Sequence, residues 1–573
     1  MAQSLAKRAP AFGDTKGGSI GAWRLPASLA ALLLWAAWTS GVDLRLLVSR
    51  PTWTALFDFL QRLFPPDVSL SFLGTALRAT WMTFATAVIA TAASSLLALP
   101  LGILASGRLW RTGINGASHK ARVGSWMGPV SWTVLHGMGV VRSVPDLVWA
   151  LLFVAGIGLG PAAGTLALAV SYTALLGRVY ADVFDETDVR PLEALEALGA
   201  TRLQVFLFGI LPQSRGLLTS YTLYSFECSV RSAAVLGFVG AGGLGYEISL
   251  SMRLFEFPQV LTLMACFVLL LLLVDLVSSG LRARLKANPE TSPASAVGGV
   301  FRKHLRRRWL IGLLAAAMLL LSLSPAGITP ASLLQSGTLR NLVRFAQQLL
   351  SPETSAIFLR EVARLALQTI SISVIGTASG AVIGLLLALP ATRLRASRHE
   401  SLDRSWSRRV QSEVVFWTAR MTLNLLRAIP ELVWVLICVI AVGFGPFAGS
   451  IALGLHTGGV LGKLFAETLE ESPQEQVEAM LAMGASPFQC ILWALLPQAW
   501  PMMRRYVLLR WDMNLRAATI LGLVGGGGLG QALYNDVQLA DYAKVSTLIA
   551  AVIVLVVGSD WLSRPSPQLE VQT

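Results

Sequence analysis

The sequence predicts an all-α polytopic membrane protein made of two parallel repeats of about six transmembrane helices each, and three observations carry that expectation. Residues 142–245 reappear as residues 427–530 at a constant shift of 285 (427 − 142), without insertion or deletion. Hydrophobic residues make up 54% of the 573 and charged residues 14%, where soluble domains carry about a quarter charged. Apolar runs recur at the ~20-residue length that crosses a hydrocarbon core.

The repeat is visible by eye. RSVPDLVWALLFVAGIGLGPAAG from Arg142 matches RAIPELVWVLICVIAVGFGPFAG from Arg427, and LGFVGAGGLG at 236–245 matches LGLVGGGGLG at 521–530. In the first half the expected spans are 24–42, 76–105, 127–157, 160–180, 206–238 and 258–280. In the second they are 308–325, 362–391, 412–442, 445–465, 492–523 and 542–562. The expected modules are therefore 1–280 and 308–573, joined by a charged, Pro/Ser/Ala-rich linker at 281–307 that reads as a flexible tether.

Net charge is +14. In a soluble chain that would suggest nucleic acid, but here the basic residues flank apolar runs, so the charge reads as topology and no nucleic-acid partner is expected. Arg108, Arg111, Lys120 and Arg122 share one loop, while Arg393, Arg395, Arg398, Arg404, Arg408 and Arg409 share its counterpart. The linker from Arg282 to Arg308 is the third basic segment. Six spans per half place all three on one side, which the positive-inside rule makes cytoplasmic together with both termini. An even count also makes the repeats parallel, about an axis along the membrane normal.

The basic start (Lys7, Arg8, Lys16) followed by LPASLAALLLWAAWTSG has the features of a signal peptide. A retained helix is the preferred reading, since WLIGLLAAAMLLLSLS opens the second half, where no signal can be cleaved. LFDFLQRLF (56–64) and LVRFAQQLL (342–350) read as amphipathic helices, lying on the outer interface or capping the bundle. Cys228, Cys266, Cys438 and Cys490 lie in or beside apolar segments without zinc-site spacing and read as packing residues.

After the fourth span each half carries a polar loop, DVFDETDVRPLEALEALGATRLQVFLFGILPQ from Asp182 and ETLEESPQEQVEAMLAMGASPFQCILWALLPQ from Glu467. A short amphipathic helix, a Gly-Ala break and an apolar stretch ending in Leu-Pro-Gln make each a cytoplasmic helix-turn-helix. Gly199 and Gly484 are the expected breaks, and Pro212 and Pro497 suit the first turn of the following span.

These loops resemble the coupling loop of bacterial ABC importer permeases, whose pattern is E-A-A-x3-G-x9-I-x-L-P. Glu193, Ala194, Gly199, Leu211 and Pro212 fit it in the first half, and Glu478, Ala479, Gly484, Leu496 and Pro497 in the second. Leu195 or Met480 replaces the third motif residue, and Gly209 or Ala494 the motif Ile. R-[SA]-[VI]-P-[DE]-L-V-W, the LGK-LFAE stretch at 461–467 and the Gly-rich endings resemble, more narrowly, the phosphonate-type permeases, with methionine-import permeases as more distant cousins. The resemblance covers roughly 70–280 and 355–562, and the fusion of two permeases in one chain is unusual for that family. It implies an importer channel for a phosphonate or related phosphorus oxyanion in a bacterial inner membrane, with two ATP-binding cassette ATPase subunits and an extracytoplasmic solute-binding protein as partners. ATP would be bound by the ATPase, and no cofactor is expected in this chain.

Gly240, Gly242, Gly243 and Gly245, with Gly525, Gly527, Gly528 and Gly530, lack the Gly-Lys-Ser/Thr of a P-loop. Two readings remain for them, close helix packing at the membrane edge or a broken helix lining the exit of the pathway. Charged residues inside spans are the candidate pathway: Arg142 with Asp146, Arg427 with Glu431, Glu227 with Arg231, and Asp512 with Arg516. Each is spaced i,i+4, so both charges would share a helix face and neutralise each other. They read either as salt bridges that fix packing or as positive potential for an anion. The five histidines show no ligand spacing, and His456 reads as a packing residue. No nucleophile-base constellation suggests an enzyme. The rival reading is an ion-coupled secondary transporter, which also uses repeats and intramembrane charges.

Overall fold

A computed structural model describes residues 30–41, 49–107, 127–286, 317–327, 350–393, 406–473 and 475–563, together with 43, 45 and 347. The basic loop at 108–122, most of the linker and the amphipathic segment at 342–350, apart from residues 347 and 350, lie outside these residues. Every regular element described is helical. In the first half these are α1 (Ala30–Thr39), α2 (Arg50–Leu63), α3 (Leu70–Ala105), α4 (Met127–Ser143), α5 (Asp146–Ile157) and α6 (Pro161–Asp185). They continue as α7 (Arg190–Ala197), α8 (Leu211–Leu236), α9 (Gly243–Arg253) and α10 (Phe257–Lys286). A short helix at 317–323, α11, opens the second half. There follow α12 (Ala356–Ala391), α13 (Trp406–Ala428), α14 (Glu431–Val442), α15 (Pro446–Glu471), α16 (Glu475–Ala482), α17 (Leu496–Leu521), α18 (Gly528–Gln538) and α19 (Tyr542–Ser563).

Among the described residues five helices are long and apolar enough to cross a membrane, or up to eight if each bent pair is one span. The expected third span of each half is not one helix. α4 meets α5 at 83°, and α13 meets α14 at 95°. Pro145 and Pro430 are the N-caps of the second pieces, with ψ near 144° and 151°. A proline disfavours helical backbone in the residue before it, which ends the first pieces at Ser143 and Ala428. The indole of Trp149 donates across the bend to the carbonyl of Val141 (3.4 Å), and that of Trp434 to the carbonyl of Leu426 (3.1 Å). The Trp of each L-V-W therefore staples the corner it follows.

Packing at the centre relies on small residues. Gly376, Gly380 and Gly384 lie four apart on α12, and a Cβ on them would stand 2.7–2.8 Å from Leu453, Thr457 and Gly462 of α15. Close backbone approach of this kind is how helices associate where lipid supplies no hydrophobic drive. Cys438 and Cys490 are buried and Cys228 and Cys266 half-buried, and none of the four is in a disulfide.

The two modules interlock. Thr39 at the end of α1 shares a hydroxyl hydrogen bond with Ser371 of α12, while Thr165 of α6 donates to the carbonyl of Ala326 just after α11 (3.4 Å). Each half's opening helix thus packs on the other half. α2 lies with Phe59 and Leu63 buried against Phe257, beside Ile437 and Ile440 of the second half, and Trp53 and Phe57 exposed. It caps the bundle with its apolar face.

Candidate functional sites: the coupling loops and a charged seam

The polar loops form helix-turn-helix units at the end of α6 and α15. In the first, the amide of Gly199 donates to the carbonyl of Glu196 (2.9 Å) and that of Ala200 to Leu195 (3.1 Å). The second repeats this with Gly484 on Leu481 (2.9 Å) and Ala485 on Met480 (3.0 Å). This is a Schellman ending, and it needs φ of +82° and +84° at the two glycines. Thr201 and Ser486 then start the next turn, each in a capping box with Gln204 or Gln489. Glu193, Ala194, Glu478 and Ala479 face outward, while Leu192 and Val477 are fully buried beneath them. A Cβ on Gly209 would stand 2.5 Å from Leu192, so the departure from the motif Ile makes room for the short helix. Leu198, Leu203, Met483 and Phe488 are exposed on the same loops, an apolar surface that sequence reading missed and that the 285-residue spacing of both pairs marks out.

Pro212 and Pro497 are the second residues of α8 and α17, in the first turn as expected, although the helix does not start afresh there. The chain is helical from Arg202 and from Pro487, and a π-turn over Phe206–Ile210 or Ile491–Leu495 runs into α8 or α17 at Leu211 or Leu496. Widening the helix by one residue accommodates the missing N–H of the proline. Gln213 and Gln498 donate from their side chains to Gly209 and Ala494 carbonyls (3.0 Å each), which explains the third residue of Leu-Pro-Gln. On this side of the bundle Glu470 receives the amide of Arg393 (2.9 Å) and the guanidinium of Arg420 (2.6 Å), and Asp185 receives Ser106 (2.6 Å) and the amide of Gly107 (3.1 Å). Arg393, which opens the second basic loop, thus shares a side with the coupling loops.

The Gly-rich segments are broken helices, and they sit at the opposite end of the molecule from the coupling loops. The amide of Gly160, which opens α6, donates to Gly240 (2.9 Å), and that of Gly445, which opens α15, donates to Gly525 (2.9 Å). α6 and α15 then run 25 and 26 residues to the loops. Of their two readings, a lining of the pathway exit would require the exit to lie away from the coupling loops, since these glycines stand at the other end. Positive φ is required at Gly240, Gly242 and Gly243 and at Gly525, Gly527 and Gly528. A Cβ on Gly245 or Gly530 would lie 1.8 Å from the carbonyl oxygen of Ala234 or Thr519. The amides of Leu244 and Leu529 at the renewed helix donate to the hydroxyls of Thr83 (2.8 Å) and Thr369 (2.9 Å).

Of the four expected i,i+4 ion pairs the structure makes one. Arg516 reaches Asp512 at 3.0 Å, and Ser559 donates to the other oxygen of Asp512 at 2.6 Å. Glu227 instead pairs with Arg282 of α10 (2.6 Å), leaving Arg231 exposed. Arg142 and Asp146, like Arg427 and Glu431, fall on either side of a corner. The acids start α5 and α14 and the arginines end α4 and α13, where each charge complements the helix dipole. Asp146 accepts from Ser171 (2.5 Å) and Ser232 (3.0 Å). Arg427 reaches Asn424 (3.3 Å).

Glu431 meets residues that the repeat did not single out. Its Oε1 lies 3.5 Å from Nε2 of His456 and 3.6 Å from a guanidinium nitrogen of Arg510. Nδ1 of His456 donates to the carbonyl of Ile429 in the corner itself (3.0 Å), so His456 braces the bend, which extends its expected packing role. Arg231 of the first half is near enough for its charge to act on Glu431, His456 and Arg510. The signal for Arg510 was present in the sequence, a charge inside a span whose repeat partner is Ser225.

A duplicated helical bundle with outward-facing coupling loops on one side and charges gathered at the seam between its halves defines a membrane transport subunit. The family described as binding-protein-dependent transport system inner membrane component matches residues 112–288 and 405–564, and the chain belongs to it. The phosphate-import permease protein of Mycolicibacterium smegmatis is 29% identical over 528 residues, covering 89% of each chain. The phosphite transport system permease protein of Stutzerimonas stutzeri is 33% identical over 270 residues, 46% of this chain and 92% of that one. A protein of Escherichia coli named for a cryptic phosphonate transport system is 40% identical over 117 residues, 20% of this chain and 96% of that one. Relatives that match only one half of this chain nearly end to end fit its reading as two permeases fused.

Proposed function

We propose that this chain is the complete transmembrane channel of an ATP-driven importer for a phosphorus oxyanion of the phosphate, phosphite or phosphonate class. Two ATPase subunits dock on the coupling loops, an extracytoplasmic binding protein delivers the solute to the opposite face, and both termini lie on the ATPase side. ATP binds to the ATPase subunits, with no cofactor in this chain. The observation that supports this best is the doubled coupling loop: Glu193-Ala194 and Glu478-Ala479 face outward beside the exposed Leu198, Leu203, Met483 and Phe488, an apolar surface that the described residues do not cover. Two equal docking surfaces call for two copies of one partner. The spans carry no helix-turn-helix need of their own, so a secondary transporter would have no use for the pair.

The test is uptake of radiolabelled phosphate, phosphite and methylphosphonate into proteoliposomes. The chain with its ATPase and binding protein should accumulate at least one of the three in an ATP-dependent manner, and the chain alone should be inert. Gradient-driven uptake by the chain alone would establish a secondary transporter instead.

A further inference from the structure

A groove of about 620 Å³ opens on the flank of the second half, where α1 of the first half packs across it. Leu33 of α1, Val374 of α12, Leu508, Trp511 and Leu515 of α17 and Leu562 of α19 line it, and its walls are almost wholly apolar. The space lies beside α19, which is small where its counterpart is large. Gly558 and Ser559 line the groove and stand where the first half has Leu273 and Val274. Two of its walls, α12 and α19, are long and apolar enough to cross a membrane, so the groove borders hydrocarbon.

One end of the groove is charged. Arg504, Leu508, Trp511 and Leu515 follow one another at steps of four, three and four, which puts them on one face of α17. Arg504 stands about 6 Å beyond Leu508 toward the coupling loop, and it is exposed, as is Arg505 beside it. The first half has Thr219 and Ser220 at these positions. The one acid of α17, Asp512, is already engaged, by Arg516 at 3.0 Å and by Ser559 at 2.6 Å. An apolar groove in the membrane with a guanidinium at its outer end is complementary to a lipid with an anionic head, whose phosphate accepts from the guanidinium while an acyl chain fills the groove. An arginine that merely reached up to water would need no groove beneath it.

We propose that this groove holds an acyl chain of one anionic phospholipid from the leaflet on the coupling-loop side, with the lipid phosphate on Arg504 and Arg505 flanking it. The lipid fills the gap between α1 and the second half, so it fastens the opening helix of one module to the body of the other. The site is one-sided and does not depend on which solute is carried.

The experiment is native mass spectrometry of the full chain in detergent, stripped of lipid and then given equal amounts of dioleoyl phosphatidylglycerol and dioleoyl phosphatidylethanolamine. The wild type should retain one phosphatidylglycerol in preference to phosphatidylethanolamine. Arg504→Gln should weaken that binding about fivefold, equivalent to the ~1 kcal/mol of one arginine beside an anionic lipid surface. Gly558→Leu, which restores the bulk found in the first half, should abolish it, and no atom stands within 4 Å of a Cβ added at Gly558 to disturb the fold. Equal binding of the two lipids by the wild type, or unchanged affinity in Arg504→Gln, would overturn the headgroup contact. Undiminished phosphatidylglycerol on Gly558→Leu would place the lipid elsewhere and overturn the site, even if Arg504→Gln fails to assemble. A wild type that retains neither lipid would overturn it too, and leave the groove to another segment of this chain.

Discussion

The two halves agree in backbone and differ in what they place at the seam. Shifting by 285 residues carries the Pro145 corner onto Pro430, the left-handed turn at Gly199 onto Gly484 and the broken helix at Gly240 onto Gly525, with φ values that match within a few degrees at the last two. The same shift carries Asp146 onto Glu431 but Ser171 onto His456 and Ser225 onto Arg510. In the first half the acid is satisfied by two hydroxyls, and in the second by an imidazole and a guanidinium. The corners and the left-handed turns are set by local sequence that both halves carry, whereas the imidazole and the guanidinium on the corner acid are carried by one. Geometry is duplicated and electrostatics is not.

The largest effect should come where the halves are most alike. Gly245→Val and Gly530→Val each force a side chain onto a carbonyl oxygen that already sits inside contact distance of a bare Cβ. Overpacking costs ~1–3 kcal/mol where neighbours can move, and a backbone oxygen in a helix cannot, so folded yield in detergent should fall at least tenfold in both variants. Survival of either one would mean that the broken helices are not equivalent. Next come Asp512→Asn and Glu227→Gln, which remove the carboxylate charge facing Arg516 and Arg282. Each cost should fall between the ~0–1 kcal/mol of an exposed pair and the ~3–5 kcal/mol of a buried one, read as a lowered detergent melting temperature. Asp512→Asn should be the costlier, since it also weakens the bond from Ser559.

Smaller is the intrinsic cost of Gly199→Asp and Gly484→Asp, about 1–2 kcal/mol for left-handed backbone, because no atom stands within 4 Å of the added Cβ. Both proteins should insert normally and co-purify with less ATPase. Normal co-purification and uptake in both would remove the docking role, while loss in one alone would show that the loops are unequal. The least change is expected from Thr201→Ala and Ser486→Ala, about 1 kcal/mol each from the lost capping box, visible as faster amide exchange over 201–205 and 486–490.

The docking turns were legible because glycine, capping residue and buried apolar position recur in one order at fixed spacing, and local sequence dictates each of them. The i,i+4 pairs were misread for an equally local reason. That spacing brings charges together only on a continuous helix, and Pro145 and Pro430 stand inside two of the four intervals. Glu227 was lost to Arg282, a residue 55 positions on (282 − 227), which no helical periodicity could have suggested. Arg510 escaped because reading by repeat retains what the halves share and passes over what only one of them has. The exchange of opening helices left no trace, since α1 and α11 are apolar runs that would pack as readily on either half.

That exchange sets a clock for biosynthesis. Thr39 and its partner Ser371 are separated by 332 residues, which at a synthesis rate of roughly 5–20 residues per second means about 20–70 seconds between them. Throughout that interval the eventual neighbour of α1 is not yet made, and by its end the first half is complete in sequence but has only just gained that contact. A pair of separate chains would have to close this gap by finding each other in the plane of the membrane. In the fused chain the missing helix arrives on the same polypeptide, so the first half waits for its partner without having to search for it.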